Sequence, residues 1–202
     1  VAAEADRVLG GAALIHRRAV LDDPATAIAL ASRGWNVQEL RLMIYGGTGM
    51  ADRSTRVVAV TQEIVSRLWE RSWRRELPHL DDDSVRQLVD RETVADAVLR
   101  VVDLAVLDGC GEPIASTQLR IDGATAAIKA VMTDPAHRQV GLARTLMLNA
   151  IGRARAAGCD VVFLAAAADD WPHRWYTRLG FTDVGTRFEA TRSPRWIDTA
   201  QD

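Results

Sequence analysis

The stretch Val131-Met132-Thr133-Asp134-Pro135-Ala136-His137-Arg138-Gln139-Val140-Gly141-Leu142-Ala143-Arg144 carries the most chemistry in the chain. It reads as the end of a strand, a loop and the first turn of a helix, and the loop closes on Arg-x-x-Gly-x-Ala. Such a turn is an anion site. The first N–H groups of a helix have no intrahelical acceptor, and the helix dipole adds about half a positive charge there. Gly141 and Ala143 lack bulk, so a pyrophosphate can approach the main chain, and Arg138 and Arg144 can add charge-assisted contacts. Taken alone, Arg-x-x-Gly-x-Ala is common and fits a plain turn as well.

The elements that must hold this loop are legible around it. Leu99 to Asp108, rich in Val and Leu, reads as a strand; Gly109-Cys110-Gly111-Glu112-Pro113 is a turn, and Ile114 to Ile121 a second strand. Asp122-Gly123 is the dipeptide a tight hairpin prefers, because its central positions need positive φ, and Ala124 to Met132 follows as the third strand. After the loop, Ala143, Leu146, Met147, Ala150, Ile151, Ala154 and Ala157 recur at three and four, an amphipathic helix that Gly158 ends. The apolar run Val161-Val162-Phe163-Leu164 predicts a central strand covered on both faces, paired next to the third. Asp170 caps a further helix with Pro172 in its first turn and Trp175, Tyr176 and Leu179 on one face. Gly180 stops that helix, and Phe181 to Ala190 reads as the last strand.

Upstream, Arg56 to Val60 reads as a strand, followed by helices from about Gln62 to Leu77 and from about Ser84 to Ala97. Gly46-Gly47-Thr48-Gly49 is a flexible breaker and the domain boundary, leaving an N-terminal α-β segment (1–50) ahead of a main domain (51–202). In that segment Asp23 caps a helix opened by Pro24, Gly34-Trp35 closes it, and Val37 to Tyr45 alternates as a strand. The order repeats the stretch from Asp170 through Gly180-Phe181. It reads either as a degenerate half-repeat or as an extension without that ancestry.

The meander, the loop Arg138-x-x-Gly141-x-Ala143 opening an amphipathic helix, the apolar strand after it and the ending Tyr176-x-x-x-Gly180-Phe181 together resemble the GNAT superfamily of N-acetyltransferases. The resemblance covers about Arg56 to Ala190, with its specific motifs between Val131 and Phe181. It implies an α/β (α+β) fold: a mixed, mostly antiparallel central sheet flanked by helices, with a splayed strand pair, here 124–132 and 161–168, binding acetyl-CoA. It further implies acetyl-CoA as cosubstrate, no metal, and direct attack by a small-molecule or peptide amine acceptor. On that pattern Arg138, Gln139, Val140, Gly141, Leu142, Ala143 and Arg144 bind the pyrophosphate, mainly through backbone N–H groups. Val131, Met132 and Thr133 bind the pantetheine arm, and N–H groups there polarise the thioester carbonyl. Tyr176 falls at the general-acid position. Its ordinary pKa near 10 lies above that of a thiol near 8.5, so it is protonated at neutral pH and can donate to the departing thiolate.

The base is not readable. Many members carry a Glu on the fourth strand of the fold, yet Ala124-Thr125-Ala126-Ala127-Ile128-Lys129-Ala130-Val131 has no carboxylate. Asp103 and Gln118 on neighbouring strands could hold a water, and Asp169 or Asp170 could act from a strand end. A non-catalytic acyl-CoA-binding or regulatory module stays open on this ground. Trp69 and Trp73, spaced i, i+4, read as core packing or as acceptor-cleft residues. Asp81-Asp82-Asp83 reads as a solvated cap, His137 as a solvent-contacting loop residue, and Cys159 as structural.

Composition narrows the remaining classes. The 202 residues suit one α/β domain with an appendage. A net charge of -2 argues against nucleic acid as partner. The longest apolar run, Val161 to Ala168, is far short of the roughly 20 residues of a membrane span. The acidic first residues do not read as a signal peptide, and the two cysteines, Cys110 and Cys159, make no framework, so a cytoplasmic protein with reduced thiols is expected. Arg in place of Lys, with Lys129 the only lysine, suggests a GC-rich bacterial source. A homodimer through sheet edges or the N-terminal segment is compatible with the sequence.

Overall fold

The computed structural model describes residues 17–47 and 56–192, together with 3, 4 and 7. The Thr48-Gly49 half of the glycine breaker lies outside the described residues. The chain forms two compact units, residues 44–164 and residues 1–43 with 165–202.

The first unit holds strand β3 (Val57–Val60), helices α2 (Gln62–Glu76) and α3 (Asp82–Asp90), a 3-10 helix (Arg91–Ala97), and strands β4 (Arg100–Leu107), β5 (Pro113–Asp122) and β6 (Thr125–Thr133). A short 3-10 turn (Pro135–His137), helix α4 (Leu142–Ala156) and the start of β7 (Val161–Ala167) complete it. The strands run β3-β4-β5-β6-β7, antiparallel up to β6 and parallel between β6 and β7. The hairpin forms one residue later than read: Asp122 pairs with Thr125, so the two-residue loop is Gly123-Ala124, and of the two only Gly123 takes positive φ (+53°). Alternation divides the sheet's faces. Ala105 and Leu107 pack with Val65 and Trp69 of α2 and Val89 of α3, and Ala130 and Met132 join that cluster. On the opposite face α4 buries Leu142, Leu146, Met147, Ala150, Ile151 and Ala154.

The second helix read from the sequence tightens into 3-10 geometry at Arg91 instead of running on as α-helix to Ala97. β7 departs from a strand covered on both faces: Val162, Leu164 and Ala166 are buried while Val161 and Ala165 are exposed. An apolar run alone does not distinguish these cases.

The second unit holds β1 (Arg17–Leu21), α1 (Pro24–Ala31), most of β2 (Asn36–Tyr45), the end of β7, α5 (Trp171–Leu179) and β8 (Phe181–Arg192). β8 lies between β1 and β2, and pairs antiparallel with β1. Asp23 caps α1 and Asp170 caps α5, each accepting from backbone N–H groups of the first turn. Each helix is followed by a left-handed glycine, Gly34 (φ +77°) or Gly180 (φ +101°), and then a buried aromatic, Trp35 or Phe181. Among the described residues no helix is long and apolar enough to cross a membrane.

Candidate active site

The site is built where β6 leaves the sheet. Along β5 and β6 the register runs Gln118 with Lys129 and Ser116 with Met132, so two residues of β6, Ala130 and Val131, oppose Thr117 alone. This is a β-bulge, which leaves backbone groups out of the ladder and re-aims the strand. Ala130 takes φ +51°, a conformation a residue with a Cβ adopts at a cost. On its other side β6 pairs with β7 over Thr125, Ala126 and Ala127 only. The backbone from Ile128 onward has no register partner there, matching the opening that the resemblance implies.

Three residues past the bulge the chain turns toward α4. Asp134 caps the short 3-10 turn through Ala136 N–H at 3.0 Å, and the guanidiniums of Arg71 and Arg75 on α2 approach its other oxygen at 4.0 and 3.8 Å. Arg138 is exposed and its Nε donates to the Thr133 carbonyl at 3.3 Å, bracing the loop. Gln139 (φ +65°) and Gly141 (φ +84°) are both left-handed, the geometry of loops that gather N–H groups into an anion-binding concavity. Gly141 is the N-cap of α4. No side chain caps this terminus, no acid stands in its first turn, and a Cβ built on Gly141 meets nothing within 4 Å. Leu142 is buried and anchors the turn, so it can offer a ligand only its backbone.

Met132 and Thr133 stay paired with Ser116 and Ala115 of β5, and the Arg138 N–H donates to the Pro135 carbonyl at 3.4 Å, so the free backbone donors of this segment are those of the first turn of α4. The buried hydroxyl of Thr133 and the buried Nδ1 of His137 have no hydrogen-bond partner among the described residues, while His137 as a whole is half-buried and keeps the contact with solvent that its loop position suggests. Open donors at a left-handed helix start, two flanking arginines and an unpartnered hydroxyl on the preceding strand fit a pyrophosphate carrying a hydrogen-bonding arm.

Tyr176 lies on α5, in the other unit. Its ring packs edge-on to Phe181, with centroids 5.9 Å apart, and tilted against Trp175 at 5.0 Å. Burial pushes its phenol up to about 12. Its hydroxyl has no hydrogen-bond partner among the described residues, so its O–H is free to donate a hydrogen bond.

Of the groups weighed as a base, Asp170 spends its carboxylate capping α5 at Trp171 N–H, and Asp169 is exposed. Asp103 and Gln118 meet: Gln118 Nε2 donates to Asp103 Oδ1 at 2.9 Å. Trp69 is core, with its Nε1 donating to Ser116 Oγ at 3.2 Å, while Trp73 stacks under the Arg91 guanidinium at 5.3 Å. Asp81 caps α3, and Asp82 and Asp83 pair with Arg74 and Arg86. The bulge at Ala130 and the left-handed Gln139 had no signal in the sequence, since neither is a residue that favours positive φ.

The family model described as acetyltransferase (GNAT) family matches residues 62–181. An acetyltransferase of the GNAT family from Novosphingobium aromaticivorans superposes with a TM-score of 0.61 at 19% identity, over 87% of this chain and 73% of that one. A conserved protein of unknown function from Staphylococcus epidermidis gives a TM-score of 0.70 at 14% identity, over 93% and 76%. A tandem GNAT protein from the clavulanic acid biosynthesis pathway gives 0.63 at 17% identity, over 94% and 67%. At these identities the likeness is one of fold. No curated protein matches the sequence. With the family model spanning more than half of its residues and the mixed, mostly antiparallel sheet in place, the chain belongs to the GNAT acetyltransferase family.

Proposed function

We propose that the protein transfers the acetyl group of acetyl-CoA to a primary amine by direct attack. The observation that carries this reading is the sequence of backbone features along one segment: the bulge at Ala130–Val131, then the open left-handed start of α4 at Gly141. Acetyl-CoA supplies an activated acyl group. N–H groups of residues 139–144 and the side chains of Arg138 and Arg144 hold its pyrophosphate. Val131, Met132 and Thr133 hold the arm, and N–H groups released from the ladder at the bulge polarise the carbonyl where negative charge develops. Tyr176 donates to the departing thiolate. With its phenol near 12 and a thiol near 8.5, it acts as a hydrogen-bond donor that stabilises the thiolate more than as a group that gives its proton away.

A β6 without a carboxylate equally suits a non-catalytic acyl-CoA-binding module. Amine-dependent release of CoA thiol separates the two: binding of acetyl-CoA without release by any amine selects the module.

Residues 1–50 are proposed to be a degenerate half of a second such domain. The shared order of Asp cap, early proline, left-handed glycine, buried aromatic and long strand in α1–β2 and α5–β8 supports it. Hydrogen exchange should find amides of β1 and β2 as protected as those of β8. Unprotected amides there overturn it.

A further inference from the structure

One buried carboxylate is left unused by this account. Paired residues Val60, Asp103, Gln118 and Lys129 form a row across β3, β4, β5 and β6, one residue short of the bulge. Asp103 is 7% exposed, on the face that carries α2 and α3. A polar chain runs to it from the rim. Glu92, on the 3-10 helix, accepts from Arg120 Nη2; the Nε and Nη2 of Arg120 donate to Gln118 Oε1 at 3.1 and 2.7 Å; Gln118 Nε2 then donates to Asp103 Oδ1 at 2.9 Å. Arg120 takes the Gln118 oxygen, so the amide can only offer N–H to Asp103. The chain therefore ends on Asp103 Oδ2, which accepts no hydrogen bond among the described residues. Oδ2 itself is not sealed off from solvent, so a cation from outside can reach it.

The charges acting on Asp103 are Glu92 and Asp96 of the 3-10 helix and Arg120 of β5, two acids against one base, and burial raises its pKa. A cation suits such a place. Lys129, at the β6 end of the row, is exposed. Strand spacing sets the reach. Asp103 is two strands from β6, about 10 Å, far beyond the roughly 2.6–3.2 Å over which a base takes a proton directly from an amine attacking at the bulge.

We infer that Asp103 anchors a second, cationic nitrogen of the acceptor, about two strand spacings (~10 Å) from the amine that is acetylated, so that the acceptor carries two amino groups. The inference rests on the acetyltransferase reading. Asp103 selects the substrate; Gln118, Arg120 and Glu92 position its carboxylate.

The test compares a seven-carbon α,ω-diamine with the matched monoamine, in the wild type and in Asp103→Asn, whose amide oxygen still accepts from Gln118. In the wild type kcat/KM for the diamine should exceed that for the monoamine at least tenfold, through KM. Asp103→Asn should abolish the difference, with monoamine turnover within threefold of wild type and acetyl-CoA affinity unchanged. Equal loss on both amines, or no loss on either, overturns the anchor. If acetyl-CoA binds but no amine releases CoA thiol, the acetyltransferase reading fails, and calorimetric titration of the diamine alone still decides the anchor. Binding at least tenfold weaker in Asp103→Asn upholds it; no binding to the wild type, or equal binding to both, overturns it.

Discussion

The hydroxyl of Thr117 donates a 2.8 Å hydrogen bond to the carbonyl of Lys129, at the point where the ladder between β5 and β6 loses register. Thr117 is fully buried, and the residue after Lys129 is the left-handed Ala130. The side chain thus satisfies an acceptor that the bulge takes out of the ladder, and pins the bulge while doing so. Thr117→Val keeps the shape and removes the donor. It should cost about 1–3 kcal/mol, which for a chain of this size lowers Tm by about 2–4 °C per kcal/mol. On the proposal that the bulge supplies the carbonyl-polarising N–H groups, kcat should fall at least tenfold at temperatures where the variant is fully folded. A variant that loses stability but keeps kcat would separate the bulge from the chemistry.

Gly141 and Gly158 give a matched pair at the two ends of α4. Both stand at φ +84°, and a Cβ on either meets nothing within 4 Å. An alanine at either position therefore costs backbone strain alone, about 1–2 kcal/mol. Gly141→Ala should also weaken acetyl-CoA at least tenfold by calorimetry, because its methyl would stand where the pyrophosphate is proposed to approach. Gly158→Ala should leave that affinity unchanged. Equal affinities in the two variants would contradict the phosphate-loop assignment.

Tyr176→Phe should lower kcat about 100- to 1000-fold, the contribution of one hydrogen-bond donor to developing charge, with acetyl-CoA affinity within threefold. The pH dependence has a definite sign. The phenol is raised from 10 in the unfolded chain to about 12 in the fold, so its stabilising contribution is complete below pH 10 and is lost as pH rises from there toward 12. Thermal denaturation should show wild type losing more stability over that window than Tyr176→Phe. Identical profiles would place the ring in solvent.

The order of elements was legible because turn chemistry punctuates it: Gly123, Gly158 and Gly180 each take positive φ where the reading ends or reverses an element. β1 was missed. Arg17-Arg18-Ala19-Val20-Leu21 has two arginines and no apolar alternation, and it is a strand because it pairs with β8, where Arg18 meets Glu189 at 2.6 Å. The helix read through Ala97 changes to 3-10 at Arg91, a choice settled by tertiary contacts, among them Glu92 with Arg120. The loop proposed to hold the pyrophosphate was visible in residue types. The bulge was not, because Ala130 is left-handed only through what its neighbours in β5 impose. Asp103 and Gln118 could be named from the sequence, but register alone joins them to Arg120 and Glu92.

Asp103 also makes a stability prediction of opposite character. Burial, with Asp96 and Glu92 adding to it, holds its carboxyl above the ordinary value of 3.8 against the opposing pull of Gln118 and Arg120. Protonation is favoured in the fold, so the group's contribution is greatest below the unfolded pKa and is lost as pH rises through the folded one. Asp103→Asn should therefore melt above the wild type at pH 8, by about 2–4 °C for each kcal/mol, and the difference should close as pH falls toward 4. A difference that widens on acidification would reverse the assigned sign.

Acetyl transfer to an amine is tested most plainly by CoA-thiol release from acetyl-CoA against a panel of amines, peptides and aminoglycosides, with calorimetric titration of acetyl-CoA alongside. Binding is expected together with release that rises with amine concentration and is strongest for acceptors carrying a second amino group. Absence of acetyl-CoA binding, or binding with no amine-stimulated release, would contradict that transfer.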